Sequence, residues 1–127
     1  MIKAGFVLDT SALIAFLADE KEAAAVLKVL PLSRLPFICL FELYYIVWKR
    51  KDRAEADRIY GIVKSWKLPV LYPNERVILS AGRIKAVYKL SIADSYMAAL
   101  TLDEGFPLVT KDKDYEILEQ EIKILVL

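Results

Sequence analysis

Four carboxylates in this 127-residue chain each stand just after a strand-like run or in the first turn of a helix: Asp9, Glu42, Asp94 and Asp112. Asp9 directly follows Phe6-Val7-Leu8, and Glu42 lies in an apolar helix that begins soon after the strand-like Leu35-Pro36-Phe37-Ile38. Asp94 falls in the first turn of a helix that Ser91 is placed to cap, and Asp112 follows the run Phe106-Pro107-Leu108-Val109. In an open parallel sheet such positions share the carboxyl edge, where ligands bind. Carboxylates gathered there repel and raise one another's pKa, so the cluster needs protons or a cation to neutralise it. Oxygen-only donors suit Mg²⁺ or Mn²⁺. An ion held this way binds a phosphate oxygen and lowers the pKa of a water, and the reaction class is phosphodiester hydrolysis.

Each acid also has a purely structural role open to it. Asp9, Thr10 or Ser11 can cap the helix that follows them. Ser91 and Asp94 have the spacing of a capping box. Glu42, expected in the first turn of its helix, gains there from the helix dipole, although burying it among Leu40, Phe41 and Leu43 is costly without a partner. Asp112 and Asp114 can be ordinary loop acids. The case for chemistry rests on all four standing at corresponding places in the topology.

The elements that position these acids follow from periodicity and breakers. Strands are expected at 6–8, 35–38, 68–72, 106–109 and 122–127, and helices at 12–17, 23–30, 40–50, 54–66, from 75 into the high 80s, 92–104 and, shorter, 115–121. Gly105 suits a left-handed helix terminator. Alternation of this kind predicts an α/β fold, a parallel sheet covered by helices on both faces, and 127 residues fit one domain, 1–127.

Composition removes several function classes. The chain has no histidine and one cysteine, Cys39, which excludes His-based acid–base catalysis, an internal disulfide and a cysteine zinc cage. Lys plus Arg is 18 against 17 for Asp plus Glu, so only a local patch can attract nucleic acid. The one basic concentration is Lys49-Arg50-Lys51-Asp52-Arg53, read either as a solvated turn at a helix end or as a phosphate-binding rim. No apolar run approaches the ~20 residues of a membrane span. Met1-Ile2-Lys3-Ala4 leads into the first strand without a signal-peptide hydrophobic region, so a cytoplasmic location with no membrane role is expected.

Taken together, Val7-Leu8-Asp9-Thr10-Ser11-Ala12-Leu13, Phe41-Glu42-Leu43, Leu90-Ser91-Ile92-Ala93-Asp94 and Pro107-Leu108-Val109-Thr110-Lys111-Asp112-Lys113-Asp114-Tyr115 resemble the successive motifs of PIN-domain ribonucleases, particularly VapC-type toxins. The resemblance implies a single PIN-like domain with a five-stranded parallel sheet between helices. It implies an acidic Mg²⁺ or Mn²⁺ site made by Asp9, Glu42, Asp94 and Asp112, with Thr10, Ser11 and Thr110 as supporting hydroxyls and Asp114 replacing or assisting Asp112. The implied reaction is cleavage of single-stranded RNA leaving a 3′-hydroxyl and a 5′-phosphate. The implied assembly is a homodimer held inactive by a small antitoxin whose segment enters the acidic groove. Cys39 departs from the serine or threonine often found ahead of the glutamate's helix, which leaves the cap of that helix unassigned. Other readings are a housekeeping RNA-processing nuclease without an antitoxin and a catalytically silent binding module on the same fold. A phosphorylation-switched receiver module is disfavoured because neither Phe37-Ile38 nor Val70-Leu71-Tyr72 is followed directly by an acceptor aspartate.

Overall fold

Strand β1 (Phe6–Leu8) runs down the middle of a five-stranded parallel sheet, with β2 (Ser33–Pro36) and β3 (Val70–Leu71) on one side and β4 (Leu108–Thr110) and β5 (Ile124–Val126) on the other. The computed structural model describes residues 4–127; the reading of Met1-Ile2-Lys3 as the lead-in to β1 lies outside the described residues. Helices α1 (Thr10–Leu17), α2 (Ala23–Val29), α3 (Phe37–Arg50), α4 (Arg53–Ser65), α5 (Glu75–Val87) and α6 (Ile92–Glu104) flank the sheet. Two short 3₁₀ segments, Leu30–Leu32 and Lys113–Leu118, complete the connections. No helix among the described residues is long and apolar enough to cross a membrane.

The central strands β1 and β4 are as apolar as a sheet covered on both faces demands: Val7, Leu8, Leu108 and Val109 have no exposed surface. The chain lays down β1, β2 and β3 in one direction and then returns to place β4 beside β1. The reversal puts the topological switch point, where ligands of open parallel sheets bind, between the carboxyl ends of β1 and β4. Val7 pairs with Leu108 and Leu8 with Val109, and the Asp9 N–H continues the ladder by donating to the Val109 carbonyl at 2.9 Å. Residues 9 and 110–112 are thereby brought side by side.

Helix α6 is buried over Met97–Thr101, which suits its run of small residues. Its interior hydroxyls are satisfied within the helix, as buried polar groups require: Ser95 donates to the Ser91 carbonyl and Thr101 to that of Met97, each at 2.8 Å. Gly105 ends the helix at φ +78°, with its N–H on the Thr101 carbonyl. A Cβ there would touch nothing within 4 Å, so Gly105→Ala tests backbone conformation alone. The expected loss is about 1–2 kcal/mol, read as a lower urea midpoint with unchanged slope.

The second strand and the helix after it depart from the sequence reading. The strand spans Ser33–Pro36 rather than 35–38, and α3 begins at Phe37 rather than at 40. Phe37-Ile38-Cys39 is a short apolar run that periodicity cannot divide between buried strand and buried helix. Pro36, at φ −58° and ψ 141°, ends the strand and stands at the N-cap of α3. Glu42 is therefore in the second turn of its helix, beyond the stronger pull of the dipole, and Cys39 is a buried interior residue rather than a cap. The segment expected as a helix at 115–121 is the 3₁₀ stretch Lys113–Leu118.

Candidate active site

The carboxyl edge at the switch point opens into a cavity of roughly 340 Å³ whose walls include Asp9, Glu42, Asp94 and Asp112. Asp9 is the innermost, with only 5% of its surface exposed. It stands at the backbone N-cap of α1 yet makes no side-chain capping bond, so its carboxylate is left for the cavity. Three hydroxyls hold it instead. Ser11 Oγ and Thr110 Oγ1 donate to Oδ2 at 2.8 and 2.7 Å, and the Tyr115 hydroxyl reaches Oδ1 at 3.2 Å. Two of these hydroxyls also accept from the β4 loop: the Lys111 N–H donates to Ser11 Oγ and the Asp112 N–H to Thr110 Oγ1, each at 2.9 Å. The β1–α1 turn and the end of β4 are thus fastened together around one carboxylate.

The other acids arrive from different elements. In α6 the Ser91 hydroxyl accepts the Asp94 N–H at 3.1 Å, one half of the expected capping box. Asp94 Oδ1 accepts the Tyr115 hydroxyl at 2.8 Å. Glu42, from α3, accepts the Thr10 hydroxyl at 2.8 Å. Asp112 caps the 3₁₀ turn through Oδ1, which accepts the Asp114 N–H at 2.8 Å. Asp112 lines the cavity, whereas Asp114 is exposed and contributes its backbone N–H.

Burial pushes the carboxyls of Glu42 and Asp94 above their ordinary values, and neighbouring charge adds to it: Asp9 and Asp94 act on Glu42, while Asp9 and Asp112 act on Asp94. Hydrogen bonds from Thr10 and Tyr115 oppose the rise without cancelling it. The Tyr115 hydroxyl is pushed far up by burial and by the two carboxylates it touches, so it stays protonated and can only donate to them. The Cys39 thiol is likewise pushed up by burial and is no nucleophile.

All available donors are oxygens, and two are held as reluctant anions, a combination that fits a hard divalent cation. Among the described residues no three acids are gathered closely enough, as they stand, to close on one ion. The Tyr115 hydroxyl stands between two of them, at 3.2 Å from Asp9 Oδ1 and 2.8 Å from Asp94 Oδ1.

The family model described as PIN domain matches residues 6–120. The chain belongs to the PIN domain family. The match takes in all four acids of this PIN domain and the hydroxyls around them. Solved structures with the same fold include VapBC from Salmonella typhimurium bound to DNA, at 19% identity and TM-score 0.79, covering 97% of this chain and 98% of the other. VapBC-1 from nontypeable Haemophilus influenzae is 22% identical at TM-score 0.75, covering 95% and 96%. VapC20 from Mycobacterium tuberculosis, a sarcin–ricin-loop cleaving toxin, is 16% identical at TM-score 0.73, covering 89% and 94%. No curated protein matches the chain by sequence.

Three groups at this PIN-domain cavity were not singled out as site residues in the sequence. Tyr115 is fully buried and bridges Asp9 and Asp94; the available signal was an aromatic with a polar tip in the otherwise charged run 111–116, since a buried phenol must find a partner. Lys111 lines the cavity with its ammonium on Glu20 at 2.6 Å and near Glu22 at 3.5 Å, a long-range pairing that no local pattern announces. Arg50, known only as part of a basic cluster, also lines it.

Proposed function

We propose that this PIN domain is a divalent-metal-dependent endoribonuclease that hydrolyses single-stranded RNA, and that it is the toxin of a type II toxin–antitoxin pair. The observation that carries the nuclease reading is the convergence of Asp9, Glu42, Asp94 and Asp112 on one cavity at the switch point, with Glu42 and Asp94 both held above their ordinary pKa. In this reading the four carboxylates hold Mg²⁺ or Mn²⁺. When bound, such an ion supplies charge neutralisation at the phosphate and an activated water. Thr10 orients Glu42; Ser11 and Thr110 orient Asp9; the Asp114 N–H fixes Asp112. Products are a 3′-hydroxyl and a 5′-phosphate.

The toxin reading is supported by the VapBC complexes that share the fold. It is supported also by an apolar cleft between α1, α3 and α4, lined by Leu17, Leu43, Val47 and Ile59, that adjoins the acids and suits a partner segment. A homodimer would cover exposed apolar groups that a monomer leaves in water: Phe41, Tyr45 and Trp48 on α3, and Ile78 and Leu79 on α5. Such a protein would work in the cytoplasm.

Incubation of the purified protein with a mixed-sequence single-stranded RNA is the direct test. Cutting in Mg²⁺ or Mn²⁺ that EDTA stops, with 5′-phosphate ends, is expected. Intact RNA under every metal, over a range of sequences, would overturn the nuclease reading.

A further inference from the structure

We propose that Arg50 binds a backbone phosphate of the RNA strand, one flanking the scissile phosphate rather than the scissile phosphate itself. The inference rests on the nuclease reading and assigns a subsite to it. Glu42, Ile46 and Arg50 are spaced i, i+4 and i+8 on α3, so their side chains share one face of the helix, and all three line the acidic cavity. Two turns of helix separate Glu42 from Arg50, about 12 Å of rise. A strand whose reacting phosphate sits among the carboxylates therefore passes Ile46 and meets the guanidinium at a neighbouring nucleotide.

Charge pairing singles this residue out. Lys111, the other cation lining the cavity, is already held by Glu20 and Glu22. Arg53, further along the basic cluster, pairs with Asp57. Arg50 is exposed, and among the described residues it has no carboxylate within ion-pair distance. An unpaired arginine has five donors free for the planar, two-point recognition of a phosphate. Its place in the last turn of α3 is also favoured by the helix dipole, but that applies equally to Lys49, which does not line the cavity. The cavity distinguishes them. A chain of net charge +1 attracts polyanions weakly as a whole, and an acidic site repels them. A cation at its rim offsets that repulsion where the strand enters.

The test compares Arg50→Gln, Arg50→Lys and Lys49→Gln with the unaltered protein, measuring RNA cleavage in Mn²⁺ against KCl concentration. Arg50→Gln is expected to raise KM about fivefold at low salt with kcat nearly unchanged. It should also lower the slope of log(kcat/KM) against log salt by about 0.7, the contribution of one phosphate contact to a single strand. Arg50→Lys should restore most of the slope, and Lys49→Gln should match the unaltered protein. An unchanged slope in Arg50→Gln, or an equal effect in Lys49→Gln, overturns the assignment while the nuclease reading stands. If the unaltered protein cuts no RNA, the two fall together.

Discussion

Replacing Asp94 by Asn is expected to abolish RNA cleavage and, in EDTA at neutral pH, to raise the melting temperature by a few degrees. The two effects share one cause. Asp94 is partly buried beside Asp9 and Asp112, and both the burial and the two charges disfavour its ionised form. The asparagine keeps the oxygen that accepts the Tyr115 hydroxyl at 2.8 Å and removes the charge that burdens the metal-free fold. It also removes a ligand from the proposed cation site. Metal-borne charge stabilisation of several kcal/mol in the transition state corresponds to a loss of about a thousandfold or more in rate. A variant that is less stable than the original in EDTA would show Asp94 to be a structural cap, and one that cuts RNA at the original rate would remove it from the chemistry.

The pH dependence of that stability difference has a definite sign. Glu42 and Asp94 have folded-state pKa values raised above their ordinary 4.5 and 3.8. The folded state therefore holds these protons more tightly than the unfolded chain. The stability they contribute is full below the ordinary values and is lost as pH rises through the raised ones. Glu55 and Glu121 are lowered by Arg58 and Arg83 and act in the opposite sense, but they are surface pairs of small effect. Subtracting the Asp94→Asn curve from that of the unaltered protein, both in EDTA, removes them. The difference should favour the variant increasingly as pH climbs from about 4 toward neutrality, and added Mg²⁺ should shrink it. A flat difference would contradict the raised pKa of Asp94.

The fold was largely legible because its signals are local and agree with one another. Phe6-Val7-Leu8 and Leu108-Val109 are apolar without interruption, which is what a strand buried on both faces requires. Ser91 and Gly105 bracket α6 at the expected residues. The strand-to-helix change near Pro36 was misplaced because Phe37-Ile38-Cys39 is equally apolar in either conformation, and only pairing of Leu35 with Val70 and Pro36 with Leu71 fixes where the strand stops. The four acids were visible from their positions relative to the elements. Of the groups that hold Asp9, Ser11 and Thr110 were named only through the family resemblance and Tyr115 was not named at all: these residues are separated from one another or from Asp9 by up to 106 residues, and their meeting depends on the register of β1 with β4. Reading Asp9 as a helix cap was reasonable for its residue type, and the fold overrides it by presenting Ser11, Thr110 and Tyr115 instead.

Tyr115→Phe is expected to weaken Mn²⁺ binding by about ten- to a hundredfold, the usual consequence of losing an outer-shell partner of a metal ligand, while leaving the fold intact. The ring is fully buried, and phenylalanine refills its volume, so packing is preserved. Only the hydroxyl is lost. That hydroxyl lies 2.8 Å from Asp94 Oδ1 and 3.2 Å from Asp9 Oδ1, and among the described residues it is the one group hydrogen-bonded to both carboxylates. With a single proton it donates to one oxygen at a time, yet it fixes the separation of two like charges that would otherwise move apart. Each carboxylate oxygen has a second lone pair for a cation, so the hydroxyl and the ion need not compete. Tyr115 is thus a positioning residue. Its variant should lose activity at limiting Mn²⁺ and recover most of it at saturating Mn²⁺, whereas damage to the core would not respond to metal. Calorimetric titration of Mn²⁺ into both proteins decides the point. Equal affinities would reduce the hydroxyl to a satisfied core group, and tighter binding by the variant would show that it competes with the ion for the same oxygens.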